Sequence, residues 1–165
     1  MVEYKNILFC TDFSEDANIA FFHALDLAKR YNAKLHILHV PHSPYRYMRH
    51  VVDEHVPEKS GSGEAFYDKG IEERAMKALK EAYEEKLDGF QDVVYVVRQG
   101  APDIEIIRYA KHNDIDVIVM GAMGKSERDR IEHGSTVAGV SKYAHCHVIA
   151  IKNPERQFTL PGIKD

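Results

Sequence analysis

Residues 116–136 read DVIVMGAMGKSERDRIEHGST. The run DVIVM at 116–120 is short and apolar, the pattern of a strand buried on both faces. It breaks at Gly121-Ala122-Met123-Gly124. Nine residues later, Gly134-Ser135-Thr136 opens a helical stretch to about Tyr143. Strand, glycine-bearing loop and helix together make the half-unit of an alternating α/β fold.

The same alternation extends in both directions. Upstream, KNILFC at 5–10 reads as a first strand and Thr11-Asp12-Phe13-Ser14 as its turn. Ser14 is placed to cap a helix reaching about Arg30. Ala17, Ala20, Phe21, Ala24, Leu25, Leu27 and Ala28 form its apolar stripe. Glu15 and Asp16 suit the positive end of that helix. KLHILHV at 34–40 is a second strand, stopped by Pro41. Residues 41–66 carry Pro41, Pro44, Pro57 and the run Ser60-Gly61-Ser62-Gly63, and read as a long loop or lid. A helix is expected over 66–88, with Gly89 at its carboxyl cap. DVVYVV at 92–97 is a third strand, and a helix opens near Gly100-Ala101-Pro102-Asp103 and runs to about His112. HVIAI at 147–151 is a fifth strand, and the tail beyond Pro154 is weakly patterned. Five strands alternating with helices predict one doubly wound parallel sheet covered on both faces. Ligands of such sheets bind at the carboxyl ends of the strands, where the strand order switches. That rule points to the turn at Thr11-Asp12, to Val40-Pro41-His42 and to the segment from Gly121 onward.

Composition sets outer limits. The chain has 165 residues, 22 Lys and Arg against 26 Asp and Glu, and a net charge of −4. One domain fits this length. The absence of a basic surplus argues against a general nucleic-acid binder. No apolar run is long enough to span a membrane, and MVEYKNILFC lacks a signal peptide's apolar stretch, so a cytoplasmic location is expected. Two cysteines, Cys10 and Cys146, fit a reducing compartment and read as small buried hydrophobes.

The glycine segment carries the chemistry. Glycine can take positive φ and lets backbone N–H groups approach an anion closely. A helix opening at Gly134-Ser135-Thr136 offers free N–H groups, two hydroxyls and a positive dipole end to a phosphate. The same residues also suit a plain strand turn followed by a serine cap. Gly124-Lys125-Ser126 ends like a Walker A loop, but the glycine that motif needs would fall at Val119, inside the strand. The turn after the first strand contains no glycine, so a dinucleotide fingerprint is absent as well.

The spacing Gly-x2-Gly-x9-Gly-Ser/Thr, together with ILFCTDFSEDA at 7–17, resembles the universal stress protein family in its ATP-binding branch. Gly100-Ala101-Pro102, VIVMGAMGKSE and HCHVIAIK are similar to further family segments. The likeness covers roughly residues 3–152, with 153–165 left as a tail. It departs at Cys10 and His147, where many members carry proline. The resemblance implies a five-stranded sheet in order 3-2-1-4-5 and a homodimer built around the last strand. It further implies ATP as the ligand, with Mg²⁺ carried on its phosphates. Asp12 and Val40 would hold the adenine end, with Thr11 in the same turn. Met120 and Gly121 would lie along the ribose and the start of the phosphates, and Gly124, Gly134, Ser135 and Thr136 would take the phosphates. The implied role is a nucleotide-dependent stress sensor or regulator acting on an unidentified protein partner. A slow ATPase, motivated by Glu127, Asp129 and Glu132 in the phosphate loop, and a nucleotide-free dimeric module stand as alternatives.

Other clusters carry less. His36 and His39 differ by an odd number along a strand, so they face opposite sides and cannot share a metal ion. His145 and His147 share a face but are too few for a site alone. Tyr45-Arg46-Tyr47-Arg49-His50 has the composition of a single-strand nucleic-acid surface. Asp53, Glu54 and Glu58 follow it, and a loop packed by its own aromatics explains it better.

Overall fold

A computed structural model describes residues 1–41, 69–123 and 136–155. Its elements are β1 (Asn6–Thr11), α1 (Glu15–Tyr31), β2 (Lys34–His39), α2 (Lys69–Tyr83), β3 (Val93–Val97), α3 (Pro102–His112), β4 (Val117–Gly121), α4 (Thr136–Tyr143) and β5 (His147–Ile151). The strands form one sheet in the order β3-β2-β1-β4-β5, and every neighbouring pair is parallel. This is the expected doubly wound α/β architecture. The order reverses between β1 and β4, so the crevice for a ligand lies where those two strands end.

The central strands are apolar on alternate faces because both faces are covered. Ile7 and Phe9 of β1, Leu35 and Ile37 of β2, and Val117 and Val119 of β4 pack with α1 and α2. Phe9, Phe21 and Tyr83 form an aromatic cluster there, with ring centroids 4.8–5.6 Å apart, mostly edge to face. Leu8, Cys10, Leu38, Ile118 and Met120 face the other way, onto Ile106, Tyr109 and Val140 of α3 and α4. Each such fully buried large side chain contributes about 1.5–3 kcal/mol over its exposed state. Cys10 is buried and Cys146 half-buried, and both are free thiols.

Helix ends follow local chemistry. Ser14 caps α1 by accepting from the Ala17 N–H (3.2 Å), and Asn32 ends it in a left-handed conformation (φ 52°). Pro102 occupies the first turn of α3, where its missing N–H costs nothing. The helix expected over 66–88 is shorter: α2 ends at Tyr83, and Glu85–Leu87 tightens into a 3-10 turn. The reason is a reversal carried by two left-handed residues, Asp88 (φ 50°) and Gly89 (φ 78°). At the amino end of the sheet, the Asp116 carboxylate accepts from the N–H groups of Lys5 (2.7 Å) and Asn6 (2.9 Å), fixing where β1 begins beside β4.

His36 and His39 do point to opposite faces. His36 Nδ1 lies 2.7 Å from Tyr109 Oη on the α3 side, and the His39 ring packs on Phe13 on the other. Most of the loop expected at 41–66 lies outside the described residues, as do the cluster at Tyr45–His50 and the tail from residue 156. Among the described residues, no helix is long and apolar enough to cross a membrane.

Candidate functional site

Asp12, Val40, Met120 and Gly121 lie at the carboxyl ends of three adjacent strands. Cys10 pairs with Leu38 on one side and Met120 on the other, so the residues that follow emerge side by side. The helix beginning at Thr136 opens at this same end. Its Gly139 packs against Asp103, at the start of α3 just beyond β3, so closely that an added Cβ would come within 2.9 Å of the Asp103 carboxylate. Gly124, Gly134 and Ser135 lie outside the described residues, as do Glu127, Asp129 and Glu132.

The turn after β1 is held by hydrogen bonds on three sides. Asp12 Oδ1 accepts from the Ser14 N–H (3.0 Å), a local turn that positions the carboxylate. Phe13 sits at φ 62°, an uncommon conformation for a bulky residue, which costs on the order of 1–3 kcal/mol. Its N–H donates to Thr11 Oγ1 (3.0 Å), which keeps it there. The Thr11 hydroxyl meets Tyr83 Oη, and Tyr83 Oη donates to Asn18 Oδ1 (3.0 Å). Since a phenol has one proton, the direction of the chain is fixed: Phe13 N–H to Thr11, Thr11 to Tyr83, Tyr83 to Asn18. Burial pushes the Tyr83 hydroxyl up to about 12, a shift opposed by the Thr11 bond and reinforced by Asp12. Thr11 is thus occupied by both its groups, because its carbonyl also accepts from His39 Nδ1 (2.7 Å). A carbonyl only accepts, so His39 must carry its proton on Nδ1 in this arrangement.

The exit of β4 meets the start of α1. The spacing suggested a loop beginning at Gly121; the structure keeps Gly121 in the strand, paired with Ile151, and Ala122 N–H donates to the Ile151 carbonyl (2.7 Å). Conformational freedom is not what glycine supplies here, since Gly121 has no positive φ. It supplies space. A Cβ at 121 would sit 2.7 Å from Ala17 N and 2.9 Å from Asp16 Cβ. Asp16, placed in the first turn by its charge, is buried, and its Oδ2 accepts from the Met123 N–H (3.2 Å). Tyr83 and Asn18 are supporting residues that spacing did not single out, and His39 stood out only as a metal ligand that strand parity excludes.

The arrangement offers an exposed acceptor at Asp12, half-buried apolar surface at Val40 and a constrained backbone leaving β4, while the Met120 side chain is buried under α3 and α4. The carboxylate and the apolar wall suit a ligand with an apolar ring and hydrogen-bond donors beside it. The family model for universal stress proteins matches residues 3–152. A universal stress protein of Methanocaldococcus jannaschii is 30% identical over 155 residues, covering 93% of this chain and 85% of the relative. Universal stress protein UspA from Lactobacillus plantarum shares the fold with a TM-score of 0.64 and 30% identity, over 92% of this chain and 99% of that one. A universal stress protein solved in complex with cAMP has the same fold at a TM-score of 0.57 and 22% identity, over 91% of this chain and 98% of that one. By the extent of these matches, the chain belongs to the universal stress protein family.

Proposed function

We propose that this protein binds ATP at the carboxyl ends of β1, β2 and β4, with Mg²⁺ on the phosphates, and acts as a cytoplasmic homodimeric regulator whose nucleotide state a protein partner reads. The observation that carries the reading is the convergence of Asp12, Val40, Met120 and Gly121 at the switch in strand order, beside the helix starting at Thr136. A carboxylate accepts from the adenine amino group or ribose hydroxyls. Val40 gives apolar surface for the base, and the backbone at Met120 and Gly121 lies along the ribose. The first turn of α4 and the glycines at 124 and 134 give N–H donors for the phosphates. The complex of a related fold with cAMP supports an adenine nucleotide as the ligand class. Self-association through β5 is supported by its place at the sheet edge, where Val148, Ile149 and Ile151 are only half-buried.

The test is extraction of nucleotide from freshly purified protein, followed by thermal melting with excess Mg-ATP. A ligand at about 100 times its Kd stabilises the folded state by about 2.7 kcal/mol, a readily measured shift. Protein that carries no nucleotide and melts at the same temperature with or without Mg-ATP would refute the reading.

A further inference from the structure

One side chain holds both neighbours of Asp12. His39, the last residue of β2, donates from Nδ1 to the Thr11 carbonyl (2.7 Å), and its ring packs on the Phe13 ring with centroids 4.5 Å apart. A peptide group is planar, so the bond to the Thr11 carbonyl fixes the plane that carries the Asp12 nitrogen. The plane on the other side of Asp12 is fixed by the Phe13 N–H, which donates to Thr11 Oγ1 (3.0 Å). Both backbone dihedrals of Asp12 lie between these two planes. Asp12 is nonetheless exposed, while Thr11 is buried and Phe13 and His39 are half-buried. Phe13 also stands at φ 62°. A bulky residue keeps such a conformation only where its surroundings over-determine it, and strain of this kind gathers at sites that need a fixed geometry. Val40 follows His39 directly, so the same side chain couples the two strand exits that carry Asp12 and Val40.

We infer that His39 is the positioning residue for Asp12: it holds the Thr11 carbonyl and the Phe13 ring so that the exposed carboxylate is aimed before a ligand arrives. This rests on the nucleotide reading above and specifies how the nucleoside end of that site is set. A carboxylate fixed in advance meets the N–H and O–H donors of the ligand without a further loss of conformational freedom, and so holds them more tightly. His39 acts through Asp12 and needs no contact with the ligand itself.

The experiment measures Mg-ATP binding by titration calorimetry on wild type, His39→Asn and His39→Gln. Both variants carry a polar amide and both lose the ring. Only in asparagine does the amide nitrogen stand where Nδ1 stands, within reach of the Thr11 carbonyl. His39→Gln should weaken Mg-ATP roughly tenfold, and His39→Asn should stay within about threefold of wild type. Equal affinities in the two variants, whether weakened or not, would overturn the inference. Asp12→Asn supplies the readout that a merely structural role would not move. In that background, His39→Gln should change Mg-ATP affinity by less than about twofold, because the carboxylate it positions is already gone. The same tenfold loss in both backgrounds would place the effect of His39 elsewhere and overturn the inference. Nitrogen NMR on the nucleotide-free wild type tests the bond without any variant. Nδ1 should carry the proton, and a neutral ring protonated at Nε2 would overturn the inference, since Nδ1 could then only accept. Wild type that does not bind Mg-ATP refutes the nucleotide reading itself. Wild type that binds, with His39→Gln indistinguishable from it, refutes only this inference.

Discussion

Tyr83 is the keystone of the turn that presents Asp12, and Tyr83→Phe isolates its hydroxyl. The ring is buried, with centroid contacts to Phe9 (5.2 Å) and Phe21 (4.8 Å), and phenylalanine keeps all of that packing. What is lost is one oxygen that receives the Thr11 proton and donates to Asn18. Thr11 is buried, whereas Asn18 is half-buried and can turn to solvent. Stranding a buried donor costs about 1–3 kcal/mol, so Tyr83→Phe should lose that much, or about 2–12 °C in Tm for a chain of this size. Urea unfolding should show a lower midpoint at constant slope. Thr11→Val removes the other end of the bond. If the two hydroxyls meet directly, the double variant should lose less than the sum of the singles by at least about 0.5 kcal/mol. Strict additivity would refute the chain of hydrogen bonds. A loss below about 0.5 kcal/mol for Tyr83→Phe would show that the buried hydroxyl matters little. Alkaline pH supplies a check of sign. Burial raises the Tyr83 hydroxyl to about 12, above its ordinary value near 10. Its contribution is fully present below about pH 10 and is lost as pH rises through 12, so the wild type should lose more stability across that window than Tyr83→Phe.

Two further outcomes follow from the opposite face and the opposite end of the sheet. Burial, helped by the charge of Lys34 and opposed by Asp92, lowers the His36 imidazole from its ordinary value. The unfolded chain then takes up a proton that the folded one resists, so stability should fall as pH drops below about 6.5, and His36→Gln should flatten that slope in denaturant titrations between about pH 7.5 and 5.5. A slope unchanged in His36→Gln would remove His36 as its source. Asp116→Ala deletes the acceptor for two backbone N–H groups at the start of β1 and should cost about 1–3 kcal/mol. Asp116→Asn, which keeps one acceptor oxygen, should cost less, and equal losses in urea melts would refute the assignment.

The elements that sequence made legible are those set by periodicity and local capping. Short apolar runs gave every strand within a residue or so, and HVIAI at 147–151 matches β5 residue for residue. Parity along β2 separated His36 from His39 before any contact was known. Ser14 was readable as a cap because serine before Glu15 and Asp16 is a local signal. The support beneath the site was not readable, because its partners are far apart in the chain. Thr11 and Tyr83 are separated by 72 positions, and nothing in the stripe of α2 marks which member turns a hydroxyl toward β1. Asp16 read as a helix-dipole residue, and its bond to Met123, 107 positions away, depends on how β4 lies against α1. Gly121 read as the start of a glycine-bearing loop, where positive φ would be its use. Only the packing of that strand shows that the missing side chain, not the backbone freedom, is what the site requires.

These supports have a consequence for how a nucleotide would lie. Of the four residues in the turn, Thr11 and Ser14 are buried, Phe13 is half-buried against His39 and Tyr83, and only Asp12 is exposed. A ligand approaching β1 therefore meets a carboxylate. A carboxylate accepts hydrogen bonds and repels phosphates, so the end of the ligand it can hold is one rich in N–H or O–H donors. The anionic end must then turn away from β1, toward β4 and the helix that starts at Thr136. The chain's net charge of −4 is no obstacle to that orientation, because backbone N–H groups and a helix start hold phosphate without any lysine or arginine surplus. Asp12→Asn tests it directly. The amide still accepts from the Ser14 N–H and preserves the turn. Removing the charge should weaken adenosine and Mg-ATP by a similar factor if Asp12 serves the nucleoside end. A gain in Mg-ATP affinity alone would mean that the phosphates lie over β1, and the orientation argued here would be reversed.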